Sequence, residues 1–144
     1  MNVTLYDIAM RYVGTQEVGG DEDNYQVMAW LKLDGDWPQH DEVPWCSAAM
    51  NGWAWLLRLP RSKSLAARSW LGVGKPVTNE EARVGYDVVV LKRPPSPTAG
   101  HVGLFAGWDG KNVLMLGGNQ GNKVCVAPYA KSRILGIRRL WDGT

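Results

Sequence analysis

The chain has only two cysteines, Cys46 and Cys125, among its 144 residues. That is too few for a disulfide scaffold, and a domain of this length buries enough surface to fold without one, so both are expected to be reduced. The two lie far apart in sequence without a paired Cys or His motif, which argues against a structural metal or a redox pair. Histidine is equally scarce, with His40 and His101 alone. A dominant charge is also missing, since 16 Lys and Arg against 14 Asp and Glu leave a net +2. With no basic run to track a phosphate backbone, nucleic acid is not an expected partner. No apolar stretch is long enough to span a bilayer, so stable membrane insertion is not expected. Met1 to Asp7 lacks the basic-then-apolar order of a secretory signal, so synthesis in the cytoplasm is expected.

What is present is apolar and aromatic. Hydrophobic residues make up 45% of the chain, enough for one core, and residues 1–144 are read as a single domain. Eight Trp stand against a single Phe. Trp45, Trp53, Trp55 and Trp70 cluster around the Cys46 region, where they serve either as core or as the wall of a cleft, since indole rings stack well on sugar rings and peptide planes.

Helical spacing of Leu5, Ile8, Ala9, Tyr12 and Val13 predicts a first helix over 4–13, capped by Thr4 and ended by Gly14. Tyr25, Met28, Ala29 and Leu31 predict a second helix closing near Gly35, and 34–43 reads as loop. Pro44 suits a helix start, and 45–59 carries a broad apolar face that sets Cys46 in the first turn. Ser64 is expected to cap a short helix ending near Leu71. Beyond it the pattern changes to short β segments at 86–91, 101–108, 112–116, 123–127 and 134–140, with Asp109-Gly110 as a hairpin turn. Helices followed by an antiparallel meander make an α+β domain, the N-terminal helices packing on a C-terminal sheet.

Cys46 in Val43-Pro44-Trp45-Cys46-Ser47-Ala48-Ala49 stands at a helix entrance, where burial is expected to be incomplete and the helix N-terminus favours the nucleophilic thiolate. His101, opening the apolar run Gly100-His101-Val102-Gly103, is a base in search of a partner. Leu116-Gly117-Gly118-Asn119 places an amide beside the histidine strand, so Asn119 is expected to orient the imidazole, although Gly118 to Gly121 also reads as a turn. The backbone N–H of Cys46 is the expected oxyanion donor. Cys125, between Val124 and Val126, reads as a buried small hydrophobe.

Pro44-Trp45-Cys46-Ser47-Ala48-Ala49, Gly100-His101-Val102-Gly103 and Gly117-Gly118-Asn119, in that order, resemble the CHAP family of cysteine, histidine-dependent amidohydrolases and peptidases, relatives of NlpC-like and papain-like hydrolases. Ala66-Arg68-Ser69-Trp70-Leu71 and Leu116-Gly117-Gly118-Asn119-Gln120 add a likeness to small phage endolysin-like proteins. The resemblance implies a papain-like fold and hydrolysis of peptidoglycan amide bonds, with Cys46, His101 and Asn119 as catalytic residues. It departs from many CHAP domains in having Gly117-Gly118 where an acidic residue precedes the final asparagine. No cofactor is required. Calcium, which some CHAP domains bind, would fall on Asp34 and Asp36, with His40 and Asp41 nearby, in a stretch that also reads as a solvated acidic loop. Gln16, Glu17, Asp41, Trp45 and Trp70 are the further candidates for substrate binding or the oxyanion hole, and Asn24 is a weaker one.

The function expected is therefore an endolysin-like peptidoglycan hydrolase, either endopeptidase or N-acetylmuramoyl-L-alanine amidase. It would be made in the host bacterial cytoplasm as a monomer, released with the help of a holin, and act on the wall from the periplasm. Two other readings share these residues: an interbacterial amidase effector held by an immunity protein, and a catalytically inactive wall-binding module.

Overall fold

The computed structural model describes residues 3–16, 24–35 and 45–141. Helix α1 (Leu5–Met10) opens on a reciprocal cap. Thr4 Oγ1 accepts from the Asp7 amide at 3.1 Å, and the Asp7 carboxylate accepts from the Thr4 amide at 2.9 Å. Those hydrogen bonds to Thr4 hold the Asp7 carboxyl below its ordinary pKa. The helix is shorter than its apolar spacing predicts. After Met10 the chain tightens into turns, and Gly14, at φ +97°, redirects it so that its amide donates to the Val124 carbonyl. Helix α2 (Tyr25–Leu31) is capped by the Asn24 side chain, and helix α3 (Cys46–Leu56) begins at the cysteine itself.

The helices meet through aromatic rings. Trp30 of α2 stacks near Trp45 at 6.0 Å between centroids and meets Trp53 edge-on at 5.8 Å. Gly52 makes the approach possible, because a Cβ there would stand 2.3 Å from the Trp30 ring. A short 3-10 segment at Ala67–Gly72 follows α3, without the side-chain cap expected from Ser64, whose hydroxyl instead accepts from the Ala66 amide.

Six strands, β1 (Lys75–Val77), β2 (Asp87–Lys92), β3 (Gly100–Asp109), β4 (Asn112–Gln120), β5 (Lys123–Ala130) and β6 (Ile134–Arg139), form one antiparallel sheet in the order β1-β6-β2-β3-β4-β5. The alternating side chains of its central strands split into two clusters. Val88, Val90, Val102, Leu104 and Leu116 join the helices in the main core. Val89, Leu91, Phe105, Met115 and Ile137 pack together in a second cluster. The α+β architecture, helices first and sheet second, is the one the sequence pattern implies. Strand β1 goes beyond that pattern, since Pro76 in a three-residue edge strand carries little β signal. Among the described residues no helix is long and apolar enough to cross a membrane.

Candidate active site

Cys46 is the first residue of α3, and Trp45 before it is fully buried against Trp30. Strand β3 bears on the sulfur through the backbone amide of Val102, which favours the thiolate and pulls the thiol pKa down. His101 is the residue immediately before Val102 on β3, and the Arg93 charge acts on both Cys46 and His101, so α3 and β3 carry the two residues into one neighbourhood. The expected partial exposure of the cysteine is not what the fold provides. Cys46 is only 5% exposed, and burial pushes its thiol above the ordinary range, against the opposing pull of the Val102 amide and the Arg93 charge. The resting sulfur is therefore a protonated thiol rather than the thiolate anticipated from a helix entrance.

His101 is 1% exposed. Its Nε2 lies 2.9 Å from Gln120 Oε1. The Gln120 amide is oriented by its other end, because Nε2 of the glutamine donates to the carbonyls of Met115 at 3.1 Å and Cys125 at 2.6 Å. Two carbonyls can only accept, so the NH₂ group faces them and the oxygen faces the histidine. The imidazole proton therefore sits on Nε2 and Nδ1 carries a bare lone pair. That Nδ1 is buried and has no hydrogen-bond partner. Burial pushes the imidazole pKa down to about 4, so the ring is neutral near pH 7. Tyr129 completes the enclosure, with its hydroxyl 3.3 Å from Nε2 and its ring 5.0 Å from the imidazole. Burial, together with the neighbouring thiols Cys125 and Cys46, raises its own pKa to about 12.

The orienting side chain is thus Gln120 and not Asn119, and the reason is one extra residue. Strand β4 pairs Gly117 with Cys125 and Gln120 with Lys123, so three steps on β4 match two on β5. This is a bulge at Gly118-Asn119, where Asn119 adopts φ +57°. Unbroken alternation from Met115 would carry Gly117 and Asn119 to the histidine side, whereas the extra residue hands that side to Gln120. The glycines supply the room. A Cβ on Gly117 would lie 2.7 Å from Gln120 Oε1, and one on Gly118 would lie 2.6 Å from the Trp45 ring. The signal for Gln120 was in the turn: Gly121 and Asn122, both at positive φ, close a two-residue hairpin that makes Gln120 the last residue of its strand.

The remaining candidates separate. Trp45 and Trp70 are fully buried and belong to the core, so neither lines a cleft. Trp70 instead donates its indole N–H to Ser47 Oγ at 2.9 Å. Gln16 is exposed and engages through its backbone, bridging to Lys123 and accepting from Asn24 Nδ2 at 2.9 Å. Asn24 is the cap of α2. Asp34 is held by Arg61 in a two-pronged ion pair at 3.0 Å on each oxygen, which fits a surface clamp better than a calcium ligand. Among the described residues no three His, Cys, Asp or Glu side chains gather as a metal site. Glu17, Asp36, His40 and Asp41 lie outside the described residues.

No family model matches the chain, and no curated protein matches it in sequence. Solved structures do match its shape. NlpC1 from Trichomonas vaginalis superposes with a TM-score of 0.61 at 14% identity, over 99% of this chain and 46% of that one. The P60 domain of an antigen from M. avium subspecies paratuberculosis superposes with a TM-score of 0.56 at 19% identity, over 96% of both chains. The fold is that of an NlpC/P60 domain. The chain spans just under half the length of the T. vaginalis protein and nearly all of the P60 domain. Identities this low carry the fold and nothing finer, so the chemistry rests on the Cys46, His101 and Gln120 geometry of this NlpC/P60-like chain itself.

Proposed function

We propose that the protein is a peptidoglycan hydrolase, endolysin-like in role, that cleaves an amide bond of the bacterial wall through a cysteine–histidine mechanism. The observation that carries this reading is the bare, buried Nδ1 of His101, whose opposite nitrogen is locked by Gln120. An unpaired acceptor in a buried site is costly unless it has work to do, and removing a proton from the Cys46 thiol is such work.

In the proposed cycle the His101 Nδ1 lone pair takes the Cys46 proton as the sulfur attacks the amide carbon. The imidazolium so formed still donates Nε2–H to Gln120 Oε1. The carbonyl oxygen becomes an oxyanion facing the first-turn amides of α3, where the Cys46 N–H has no helical partner. Collapse breaks the C–N bond, and His101 returns the proton from Nδ1 to the leaving amine. Water, deprotonated by the same nitrogen, then hydrolyses the thioester and restores the thiol. No cofactor enters the cycle.

Release from the host cytoplasm to the periplasm, with peptidoglycan as the partner and a monomer as the working form, completes the proposal. The test is turbidity loss of purified sacculi. The wild-type chain should clear them and Cys46→Ala should not; undiminished lysis by the variant would overturn the mechanism. Mass spectrometry of the released fragments identifies the bond, separating stem-peptide endopeptidase from N-acetylmuramoyl-L-alanine amidase.

A further inference from the structure

We propose that Arg93 and Arg133 form a cationic rim beside the Cys46–His101 pair that recognises a free carboxylate on the substrate, next to the bond that is cut. This inference rests on the hydrolase reading above and names the chemical class of substrate within it.

The two arginines come from two segments near the histidine strand, Arg93 just past the end of β2 and Arg133 at the end of the 3-10 turn that precedes β6. Lys92 ends β2 opposite Gly100, the neighbour of His101, and the Arg93 amide donates to the Ala99 carbonyl at 3.3 Å. Arg133 donates from Nε to the Lys92 carbonyl at 3.1 Å, which ties it to the same corner. Its guanidinium stands 5.4 Å from the centre of the Tyr129 ring, and that ring lies 5.0 Å from His101. Among the described residues neither arginine has an ion-pair partner, whereas Arg61 and Arg139 are each clamped on an aspartate. Arg93 is exposed and Arg133 half-exposed, so both remain open to a ligand.

Their charge reaches the reacting groups. Both arginines depress the His101 pKa, after burial, and Arg93 also acts on Cys46. Two unneutralised cations beside a ring that must become an imidazolium oppose the reaction unless the substrate offsets them. A substrate carboxylate seated on the rim does so at the moment His101 takes its proton. Guanidinium suits the task, because its planar fork matches a carboxylate in two parallel hydrogen bonds.

Two measurements on the full chain test the rim. The first compares alkylation of Cys46 by iodoacetate and by iodoacetamide, followed by peptide mass spectrometry with Cys125 as the internal comparison. The rim should favour the anionic reagent, so the iodoacetate-to-iodoacetamide rate ratio at Cys46 should fall about fivefold in the Arg93→Gln/Arg133→Gln double variant and in high salt, and stay unchanged in Arg133→Lys. The second compares kcat/KM for two wall-peptide substrates that differ only in a carboxylate or a carboxamide beside the scissile bond. The wild type should prefer the carboxylate by about tenfold, and the double variant should lose that preference. An alkylation ratio unmoved by the double substitution overturns the rim, as does failure of both reagents to reach Cys46. Cleavage of neither peptide by the wild type counts against the hydrolase reading, while the alkylation ratio still decides the rim.

Discussion

Two buried polar networks flank the first turn of α3, and they are built to different specifications. On the helix side Ser47 Oγ donates to the Ser64 carbonyl at 2.6 Å and accepts from Trp70, while Asn51 donates to Ser47 and Ser64 carbonyls and accepts from the Lys63 amide at 3.0 Å. Every side-chain donor and acceptor of Ser47 and Asn51 is paired in this network, which fastens α3 to the 62–70 segment. On the sheet side Gln120 is equally well satisfied, but His101 keeps one nitrogen without a partner. A closed network holds a shape; one with a single open valence is, in the proposed mechanism, also a base held ready for the thiol. Cys46 sits where the rigid network meets the reactive one.

The comparison breaks most severely at Gln120. In Gln120→Leu the imidazole loses the acceptor that fixes its tautomer, and the proton is free to move to Nδ1, where it blocks the base. We expect kcat/KM to fall about a thousandfold, within the range for general-base chemistry, while Cys46 and the helical core stay in place. Retention of more than a tenth of the wild-type rate would show that Tyr129, 3.3 Å from the same nitrogen, holds the ring unaided.

Acidification attacks the same network through its charge. The folded pKa of His101 lies at about 4, below the ordinary 6.5, so between those values the unfolded chain binds the proton and the folded chain resists it. The stability associated with the neutral ring is therefore fully present above pH 6.5 and drains away as the pH falls toward 4. At about 1.4 kcal/mol per pKa decade the loss approaches about 3 kcal/mol. Urea titrations across this range should show it, and His101→Gln should flatten that part of the profile. A wild-type curve level between pH 6.5 and 4 would mean the imidazole is solvated.

How much of this was legible follows from how local each signal is. The capped α1, the cysteine at the head of α3 and the Asp109-Gly110 hairpin are written in neighbouring residues, and they appear at or close to their expected places. His101 on β3 was legible too, because an apolar strand displays its period over a few residues. Gln120 was not. Its role depends on a bulge that needs two adjacent strands to define it, and alternation read along β4 alone picks Asn119. Trp45 and Trp70 were ambiguous for a related reason, since an indole carries the same sequence signal in a core as in a cleft. Only the packing of α2 on α3 across Gly52 decides between them.

The closed network should yield a different signature from the open one. Ser47→Ala strips the acceptor from the buried Trp70 indole and the hydrogen bond to Ser64, and an unsatisfied buried donor costs about 2 kcal/mol. We expect a lower midpoint in denaturant with an unchanged slope, and activity per folded molecule within about twofold of wild type. A large loss of activity in protein that is still folded would mean that this network also positions the nucleophile.

The smallest expected effect is the sharpest discriminator between the two candidate amides. Asn119 is half-buried at φ +57° in the bulge, a conformation that Asn and Gly adopt readily and most other residues do not. Asn119→Gly should therefore leave stability within about 0.5 kcal/mol, and Asn119→Ala should cost about 1 kcal/mol through backbone strain alone. Because the Asn119 side chain is not the partner of His101, both variants should keep kcat/KM within about twofold, measured beside Gln120→Leu under the same conditions. If Asn119→Gly instead matched the loss seen at Gln120, the bulge would have to relax during turnover and return Asn119 to the histidine side of the sheet. The preserved backbone freedom of glycine makes this variant the informative one, since it removes the amide without straining the turn that places Gln120.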